Sequence, residues 1–291
     1  MLTNTLPDLL TTLEPAPIRP GSTTLVVRDL AKVARFYEET IGLRRIDGDR
    51  DSARLGAGGA PLLVLRGRRD AELEPAGFAG LFHTAFLVPS RADLGAWLAH
   101  ALKSGVDLDG ASDHQVSEAL YLSDPEGNGI EIYADRPRQA WKWIGDQVVM
   151  TTDRLDMRNL VSAGASIQNR GSRLPDGACV GHVHLRVGGI PEAERFYRDV
   201  LGLDITARRT GATFYSTGGY HHHLATNVWH SQNAPKRSGT TTGLASFELI
   251  ARDRAAFGAA AARMLAAGGN RRGDAIEATD PWGNVVGLSL G

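Results

Sequence analysis

The sequence predicts an α+β protein of four βαβββ modules, arranged as two tandem halves. Residues 21–37 and 181–197 share a pattern at a constant offset of 160, and both end in Arg-Phe-Tyr. Each half also carries an Asp-Pro-x-Gly-Asn motif, at 124–128 and 280–284, which leads into an apolar strand. Within each module the apolar spacing changes from the period of a strand to that of a helix and back.

The first half is predicted over 21–135, after a proline-containing lead-in over 1–20. Apolar residues at helical spacing indicate the helix of the first module, and Gly42 is expected to end it. The elements predicted for module 21–68 are a strand near 23–27, a helix over 30–41 and strands near 43–47, 52–56 and 61–66. Those predicted for module 80–135 are a strand over 82–88, a helix over 91–104 and strands near 112–115, 118–123 and 128–134.

A connector over 136–178 separates the halves, and its length predicts some helix packed against them. The second half is predicted over 179–291, in modules 179–229 and 242–291. The elements predicted for the third module are a strand over 182–187, a helix over 190–201 and strands near 203–208, 212–216 and 221–228. Those predicted for the fourth module are a strand over 244–250, a helix over 252–267 and strands near 273–278 and 284–289, with one strand not placed.

Composition narrows the class of protein. The 291 residues are 42% hydrophobic with a net charge of −1, which argues against a disordered chain and against nucleic acid as a partner. No apolar run approaches the roughly 18 residues that span a bilayer, so no membrane partner is expected. The N-terminus lacks a signal-peptide pattern and Cys179 is the only cysteine. These features predict a soluble, cytoplasmic protein.

Strand alternation places candidate metal ligands toward a cavity. His83, Glu131 and His182 lie opposite the apolar face of their strands, and imidazole and carboxylate are typical ligands of divalent metals. The repeat provides a control, because His182 corresponds to Ser22, Glu131 to Gly287 and His83 to about Leu244. Only the second and third modules carry ligands, so we expect the site between them and a metal-free pairing of the first and fourth. His184 shares the face of His182 and is the competing ligand.

Four motifs resemble the vicinal oxygen chelate superfamily of glyoxalases, bleomycin-resistance proteins and extradiol dioxygenases, and most closely its catechol 2,3-dioxygenase-like members. They are Gly181-His-Val-His-Leu-Arg-Val, Gly219-Tyr-His-His-His-Leu-Ala, Asp113-His-Gln-Val-Ser-Glu-Ala-Leu-Tyr121 and Asp124-Pro-Glu-Gly-Asn-Gly-Ile-Glu-Ile-Tyr133. The resemblance implies that both halves have the glyoxalase/extradiol-dioxygenase fold. It also implies that His83, His182 and Glu131 hold Fe(II), or another divalent metal such as Mn, Zn or Ni.

The same resemblance implies a set of catalytic side chains. An acid/base histidine is expected in the run His221–His223: the motif favours His222, whereas strand parity favours His223, and the choice stays open. Tyr121 matches a tyrosine that hydrogen-bonds the substrate oxygen, and His114 lies where a further pocket histidine occurs. Asn227 and Trp229 are candidates for the pocket edge.

The implied reaction is ring cleavage of a catechol-type diol by O2, with both reactants held on one metal. One alternative is a metal-dependent glyoxalase-like isomerase or thiol transferase, but 219–228 contains no acidic residue for a second carboxylate ligand. The other is a non-catalytic small-molecule-binding protein, which would typically lack the triad. Exposed sheet edges in this fold would allow a homo-oligomer.

Overall fold

The computed structural model describes residues 16–167, 171 and 173–291, so the predicted lead-in lies outside the described residues as far as residue 15. Nineteen strands are assigned in this part of the chain. They are β1 (Ile18–Val27), β2 (Arg44–Gly48), β3 (Ser52–Gly56), β4 (Pro61–Gly67), β5 (Gly80–Leu87), β6 (Gly110–Asp113), β7 (Ser117–Ser123), β8 (Gly129–Asp135), β9 (Trp143–Ile144), β10 (Gln147–Val148), β11 (Asp153–Arg154), β12 (Cys179–Arg186), β13 (Asp204–Arg209), β14 (Ala212–Ser216), β15 (Leu224–Asn227), β16 (Gly243–Ala251), β17 (Asn270–Arg272), β18 (Ala275–Thr279) and β19 (Val285–Leu290).

The helices follow the predicted order. They are α1 (Leu30–Phe36), α2 (Arg91–Lys103), α3 (Met157–Gly164), α4 (Ile190–Glu194) and α5 (Arg254–Ala266). In the first and third modules the helix continues as a wider π-helical turn, over Tyr37–Ile41 and Arg195–Val200. Gly42 ends the first of these turns at φ 91°, a left-handed conformation that favours glycine, as predicted. No helix in the described ranges is long and apolar enough to cross a membrane.

The strands form two large sheets, each of which joins modules from the two sides of the connector. One sheet has the order β17-β18-β19-β16-β1-β4-β3-β2, and the other has the order β11-β6-β7-β8-β5-β12-β15-β14-β13. The first strands of two modules pair antiparallel at each junction, β1 with β16 and β5 with β12. The second and third modules therefore share one sheet, as the placement of the candidate ligands predicted.

The two sequence motifs of the repeat contact each other in both halves. The Tyr37 hydroxyl lies 3.3 Å from Asp124 Oδ2, and the Tyr197 hydroxyl lies 2.8 Å from Asp280 Oδ2. All four side chains are buried, and the same carboxylates accept hydrogen bonds from backbone N–H groups in their own Asp-Pro-x-Gly-Asn turns. Burial raises the pKa of both aspartates despite these hydrogen bonds. The motif pairs thus fix one module of each half against the next.

Three differences from the sequence predictions concern strand bounds. The strand missing from the fourth module is β17, only three residues long. β1 begins at Ile18 rather than near residue 23, because its first residues pair with the end of β16. The offset of 160 also fails at the last strand of the third module. Thr23 pairs with Leu63, so the offset predicts residue 223 as the partner of Val183, but Val183 pairs with Leu224. The second copy therefore contains one extra residue before β15.

The connector contains the expected helix, α3, packed closely on α2. A Cβ atom on Gly95 would lie 2.1 Å from the Leu160 carbonyl oxygen, so the two backbones approach within a distance that only glycine permits. The connector also holds the hairpin β9–β10 and the short strand β11, which extends the nine-stranded sheet beside β6. Trp141 is buried, whereas Trp143 is 38% exposed. Residues 168–170 and 172 of the connector lie outside the described residues.

Candidate functional site

Three of the predicted ligand atoms converge at the junction of β5 and β12. His83 Nε2 and His182 Nε2 lie 3.2 Å apart, and Glu131 Oε2 lies 3.0 Å from the first and 3.1 Å from the second. All three residues are buried, and Glu131 and His182 are each 2% exposed. Of the described His, Cys, Asp and Glu side chains, these three form a group able to hold a metal ion.

Strand pairing explains this convergence. Thr84 pairs with Val183 across the antiparallel junction, and it also pairs with Ile130 of the parallel neighbour β8. Each of the three ligand residues is the sequence neighbour of one of these paired residues. Because successive side chains of a strand point to opposite faces, the three ligand side chains all extend from one face of three adjacent strands. In the other sheet, Ser246 pairs with Thr24, just as His83 pairs with His184 in this one, so Ser246 occupies the position that corresponds to His83. The correspondence with Leu244 predicted from sequence was therefore wrong by two residues, although the prediction of no ligand there is unaffected.

The donor set fits a divalent metal. Carboxylate oxygens and unprotonated imidazole nitrogens are all electron-pair donors, so their approach within 3.2 Å needs a cation or a proton between them. Ligand bonds of about 2.1 Å at right angles would place neighbouring donor atoms about 3.0 Å apart, close to the spacing observed. Burial lowers the pKa of His182 to about 4 against the opposing effect of Glu131. The arrangement matches a two-His, one-carboxylate face.

His184, the competing ligand, is in the same pocket but turned toward another partner. Its Nε2 lies 3.0 Å from Asn227 Nδ2, and an amide nitrogen only donates, so Nε2 of His184 is the acceptor. The ring packs edge-on against His83 at a centroid distance of 4.8 Å. His184 therefore lines the pocket, while Asn227 lies behind it, fully buried.

The three ligand residues form the floor of a cavity of about 280 Å³ with largely apolar walls. Its lining residues are Phe82, His83, Ser112, His114, Tyr121, Glu131, Met150, Thr152, His182, His184, Arg209, Phe214, His222 and Trp229. Trp229, a predicted edge residue, is 39% exposed and marks the open end. The lining brings together residues of both modules of this sheet and of the connector in one partly open cavity.

Several lining residues were not predicted from the sequence. Alternation in a regular strand would point Phe82 away from the face of His83, but the register jumps from His83–His184 to Leu81–Leu185, which leaves Phe82 unpaired in a β-bulge. The bulge turns its ring into the pocket, 4.9 Å from that of His184. The inserted residue has no sequence signature, since neither glycine nor proline marks it.

Tyr121 and His114 form a hydrogen-bonded pair on the pocket wall. The Tyr121 hydroxyl lies 2.6 Å from His114 Nε2, and His114 Nδ1 lies 2.6 Å from the Thr151 carbonyl oxygen. A carbonyl only accepts, so Nδ1 of His114 carries a hydrogen, and the phenol of Tyr121 has two neighbouring hydrogen-bond partners, His114 Nε2 and the Glu131 carboxylate. Burial, reinforced by Glu131, raises the pKa of Tyr121 well above its ordinary value. The phenol therefore stays neutral, with oxygen lone pairs left to accept from a bound molecule.

The histidine run separates into one residue that lines the pocket, His222, and two that lie outside the lining. His222 lines the pocket with its ring centroid 4.1 Å from that of His182. His222 Nδ1 lies 2.8 Å from His221 Nδ1, and His221 Nε2 lies 2.9 Å from Asp135 Oδ1. Because a carboxylate only accepts, Nε2 of His221 carries a hydrogen toward Asp135, and in the neutral tautomer of His221 its Nδ1 accepts from Nδ1 of His222. Nε2 of His222 is then an unprotonated base.

His223 stacks on Tyr220 at a centroid distance of 4.8 Å and is not among the pocket-lining residues. Strand parity favoured it, but the predicted strand near 221–228 is shorter in the structure: β15 begins only at Leu224, and His221–His223 form an irregular turn. With the extra residue before β15, alternation along the run does not apply. The geometry thus favours His222, the choice that the motif indicated.

Comparison with known proteins agrees with this architecture. The family model of the Glyoxalase/Bleomycin resistance protein/Dioxygenase superfamily matches residues 19–132 and 180–288. A protein of Bacillus subtilis (strain 168) named catechol-2,3-dioxygenase is 40% identical over 235 residues, which cover 79% of this chain and 81% of that protein.

Two crystal structures show the same fold at low sequence identity. A candidate dioxygenase from Bacillus subtilis subsp. subtilis str. 168 superposes with a TM-score of 0.62 at 13% identity, covering 94% of this chain and 84% of that one. Glyoxalase I from Zea mays gives a TM-score of 0.55 at 16% identity, covering 93% and 92%. The predicted resemblance is confirmed: with both repeats matched by one family model, the chain belongs to the Glyoxalase/Bleomycin resistance protein/Dioxygenase superfamily.

Proposed function

We propose that this chain is a metal-dependent extradiol dioxygenase, which opens the ring of a catechol-type diol with O2. The observation that carries the proposal is the convergence of His83, His182 and Glu131 at the floor of an apolar pocket. The 40% identity to a protein named catechol-2,3-dioxygenase supports the same reaction class. The fold alone would not, because one fold hosts many reactions.

His83, His182 and Glu131 would hold the metal, for which we propose Fe(II). Ferrous iron bound there would bring the diol and O2 together and allow electrons to pass between them. The three protein ligands occupy one side only, so the pocket side is left for the reactants. Phe82, Phe214 and the other apolar walls exclude water from the reacting ring.

Two side chains are placed to handle the protons of the diol. His222 presents an unprotonated Nε2 to the pocket and would accept a proton from one substrate hydroxyl, then return it to the opened product. The phenol of Tyr121 stays protonated and has His114 and Glu131 as partners, and a remaining lone pair of its oxygen would accept a hydrogen bond from the other hydroxyl and orient the ring. Asp135 and His221 keep the His222 ring in the tautomer that this role requires.

The pocket composition favours this function over the alternatives. Within the described residues, Glu131 is the single carboxylate of the lining, whereas the two-carboxylate site of a glyoxalase-like isomerase needs a second. A binding protein without catalysis does not need three donor atoms gathered within 3.2 Å in a buried place. The donor set is therefore better explained by an open metal site that serves catalysis.

Anaerobic reconstitution tests the proposal. We expect the protein to bind one Fe(II) per chain by elemental analysis, and then to consume O2 and form ring-opened semialdehyde from catechol or substituted catechols. His83→Ala should lose both the metal and the product, while His100→Ala, on the outer helix α2, should keep both. Preferential binding of zinc or nickel with isomerase activity, or full metal content without ring opening of any catechol, would overturn the proposal.

A further inference from the structure

Arg209 brings a positive charge to the open end of the pocket. It is the last residue of β13, lies half-buried between exposed neighbours, and lines the same cavity as the ligand triad. Its guanidinium donates to the Met150 carbonyl oxygen and to Thr152 Oγ1, the latter at 3.3 Å. Both acceptors belong to the connector and both are uncharged, so they position the guanidinium without neutralising it.

No carboxylate within the described ranges lies at ion-pair distance from Arg209. Asp153 is the acidic group that influences it electrostatically, but the Asp153 carboxylate accepts from Thr151 Oγ1 at 2.6 Å. The preceding residue Arg208, by contrast, is paired with Glu194 at 2.8 Å on the outer surface. A guanidinium stays protonated at neutral pH and has five donor hydrogens, of which the connector uses two.

The surroundings indicate what could meet this charge. Aromatic side chains connect the ligand triad with Arg209: Phe82 contacts both His83 and Trp229, and the Trp229 indole donates to the carbonyl oxygen of Thr210, the residue after Arg209. For a flat ring held beside these aromatic side chains with its diol toward the metal ligands, the opposite edge would face Arg209. A group at that edge would meet a fixed, unneutralised guanidinium, for which a planar carboxylate is the matching partner.

We propose that the preferred substrate is a catechol with an anionic group remote from the diol, and that Arg209 binds that group. This inference rests on the proposed function for the position of the diol. It assigns Arg209 to specificity, whereas the ring-opening residues lie at the other end of the pocket.

Binding under anaerobic conditions tests the inference separately from catalysis. The iron-loaded protein is titrated calorimetrically with 3,4-dihydroxyphenylacetate and with its methyl ester, which differ in charge but share the diol. We expect the acid to bind about tenfold more tightly than the ester, as a charge-assisted hydrogen bond would give. Arg209→Gln should bring the acid-to-ester affinity ratio close to one, Arg209→Lys should keep part of it, and Arg208→Gln should leave it unchanged.

Two results would overturn the inference. In one, the unmodified protein binds acid and ester equally, or prefers the ester. In the other, Arg209→Gln weakens both ligands by the same factor, which would show that Arg209 only holds the connector in place. Ring opening is measured afterwards with O2. If no catechol is opened although the affinity ratio depends on Arg209, the dioxygenase proposal fails while the anion-binding role of Arg209 stands.

Discussion

His221 and His222 face each other with their Nδ1 atoms 2.8 Å apart, although they are neighbours in sequence. The contact is possible because the chain turns irregularly before β15 instead of continuing as a strand, where successive side chains would point to opposite faces. Asp135, at the end of β8, completes a chain of three groups that leads from the sheet interior to the pocket.

Replacing His221 should impair catalysis without removing the metal. In His221→Phe, Nδ1 of His222 loses its acceptor, so the ring can rotate and place a hydrogen on the pocket side. We expect the kcat for ring opening to fall about tenfold or more, with metal content unchanged by elemental analysis.

His223→Phe is the matched control, with the same change two residues later. His223 lies outside the pocket lining, stacked on Tyr220 and close to backbone groups of Gly181 and Thr217, so this replacement leaves the contacts of His222 in place. We expect kcat to be retained. A larger loss of kcat in His223→Phe than in His221→Phe would contradict the assignment of His222 as the base.

Gly181→Ala should disrupt the site far more than the same change at the repeat-related Gly21. A Cβ atom on Gly181 would lie 1.8 Å from the Tyr133 hydroxyl oxygen, which is itself 2.8 Å from the Tyr220 hydroxyl. At Gly21 the nearest atoms are side-chain carbons of Glu248 and Ile250 at 3.0 Å. We expect urea unfolding to show a loss of about 1–3 kcal/mol for Gly181→Ala and a smaller loss for Gly21→Ala. Equal losses would argue against the close contact with Tyr133.

The two tyrosine–aspartate contacts should contribute unequally to stability. Tyr197 lies 2.8 Å from Asp280, whereas Tyr37 lies 3.3 Å from Asp124, so the first hydrogen bond is the stronger. We expect Tyr197→Phe to lower the free energy of unfolding by about 1–3 kcal/mol, and Tyr37→Phe by less. Denaturant titration of both variants checks the order, and a larger effect at Tyr37 would contradict it.

Cys179 should be unreactive in the folded protein at mildly alkaline pH. Burial raises the pKa of its thiol to about 12, with Arg19 opposing and Asp135 adding to the shift. A thiol reagent at pH 8 should therefore modify the unfolded chain much faster than the folded one. Equal rates would contradict the prediction.

The same shift predicts how stability depends on pH. The unfolded thiol ionises near pH 8.5 and the folded thiol only near 12, so the folded state binds more protons between these values. The contribution of Cys179 to the free energy of unfolding is complete below about pH 8.5 and should fall as the pH rises above it. The difference between the unmodified protein and Cys179→Ala, measured against pH, isolates this contribution.

Much of the fold could be predicted because the two halves of the sequence can be aligned with each other. The offset of 160 matches β1–β3 to β12–β14, and the absence of ligands at Ser22 and Gly287 indicated which modules share the site. Alternation failed where the copies differ in length, before β15, so it could not decide between His222 and His223.

The remaining pocket residues could not be predicted for physical reasons. Met150 and Thr152 lie in the connector, which has no counterpart in the repeat and therefore no register. Phe82 enters the pocket through a bulge that depends on pairing between distant strands. In the sequence, Arg209 resembles many arginines that lie on the protein surface. Its place in the pocket lining and its hydrogen bonds to the connector become evident only in the structure.

The antiparallel junction of β5 with β12 has a consequence for biosynthesis. His83 and Glu131 leave the ribosome before the connector, and His182 leaves after it. A nascent chain that ends at the connector can offer an ion only two of three donors. If the proposed metal needs all three ligands, it would bind fully only after β5 and β12 have paired.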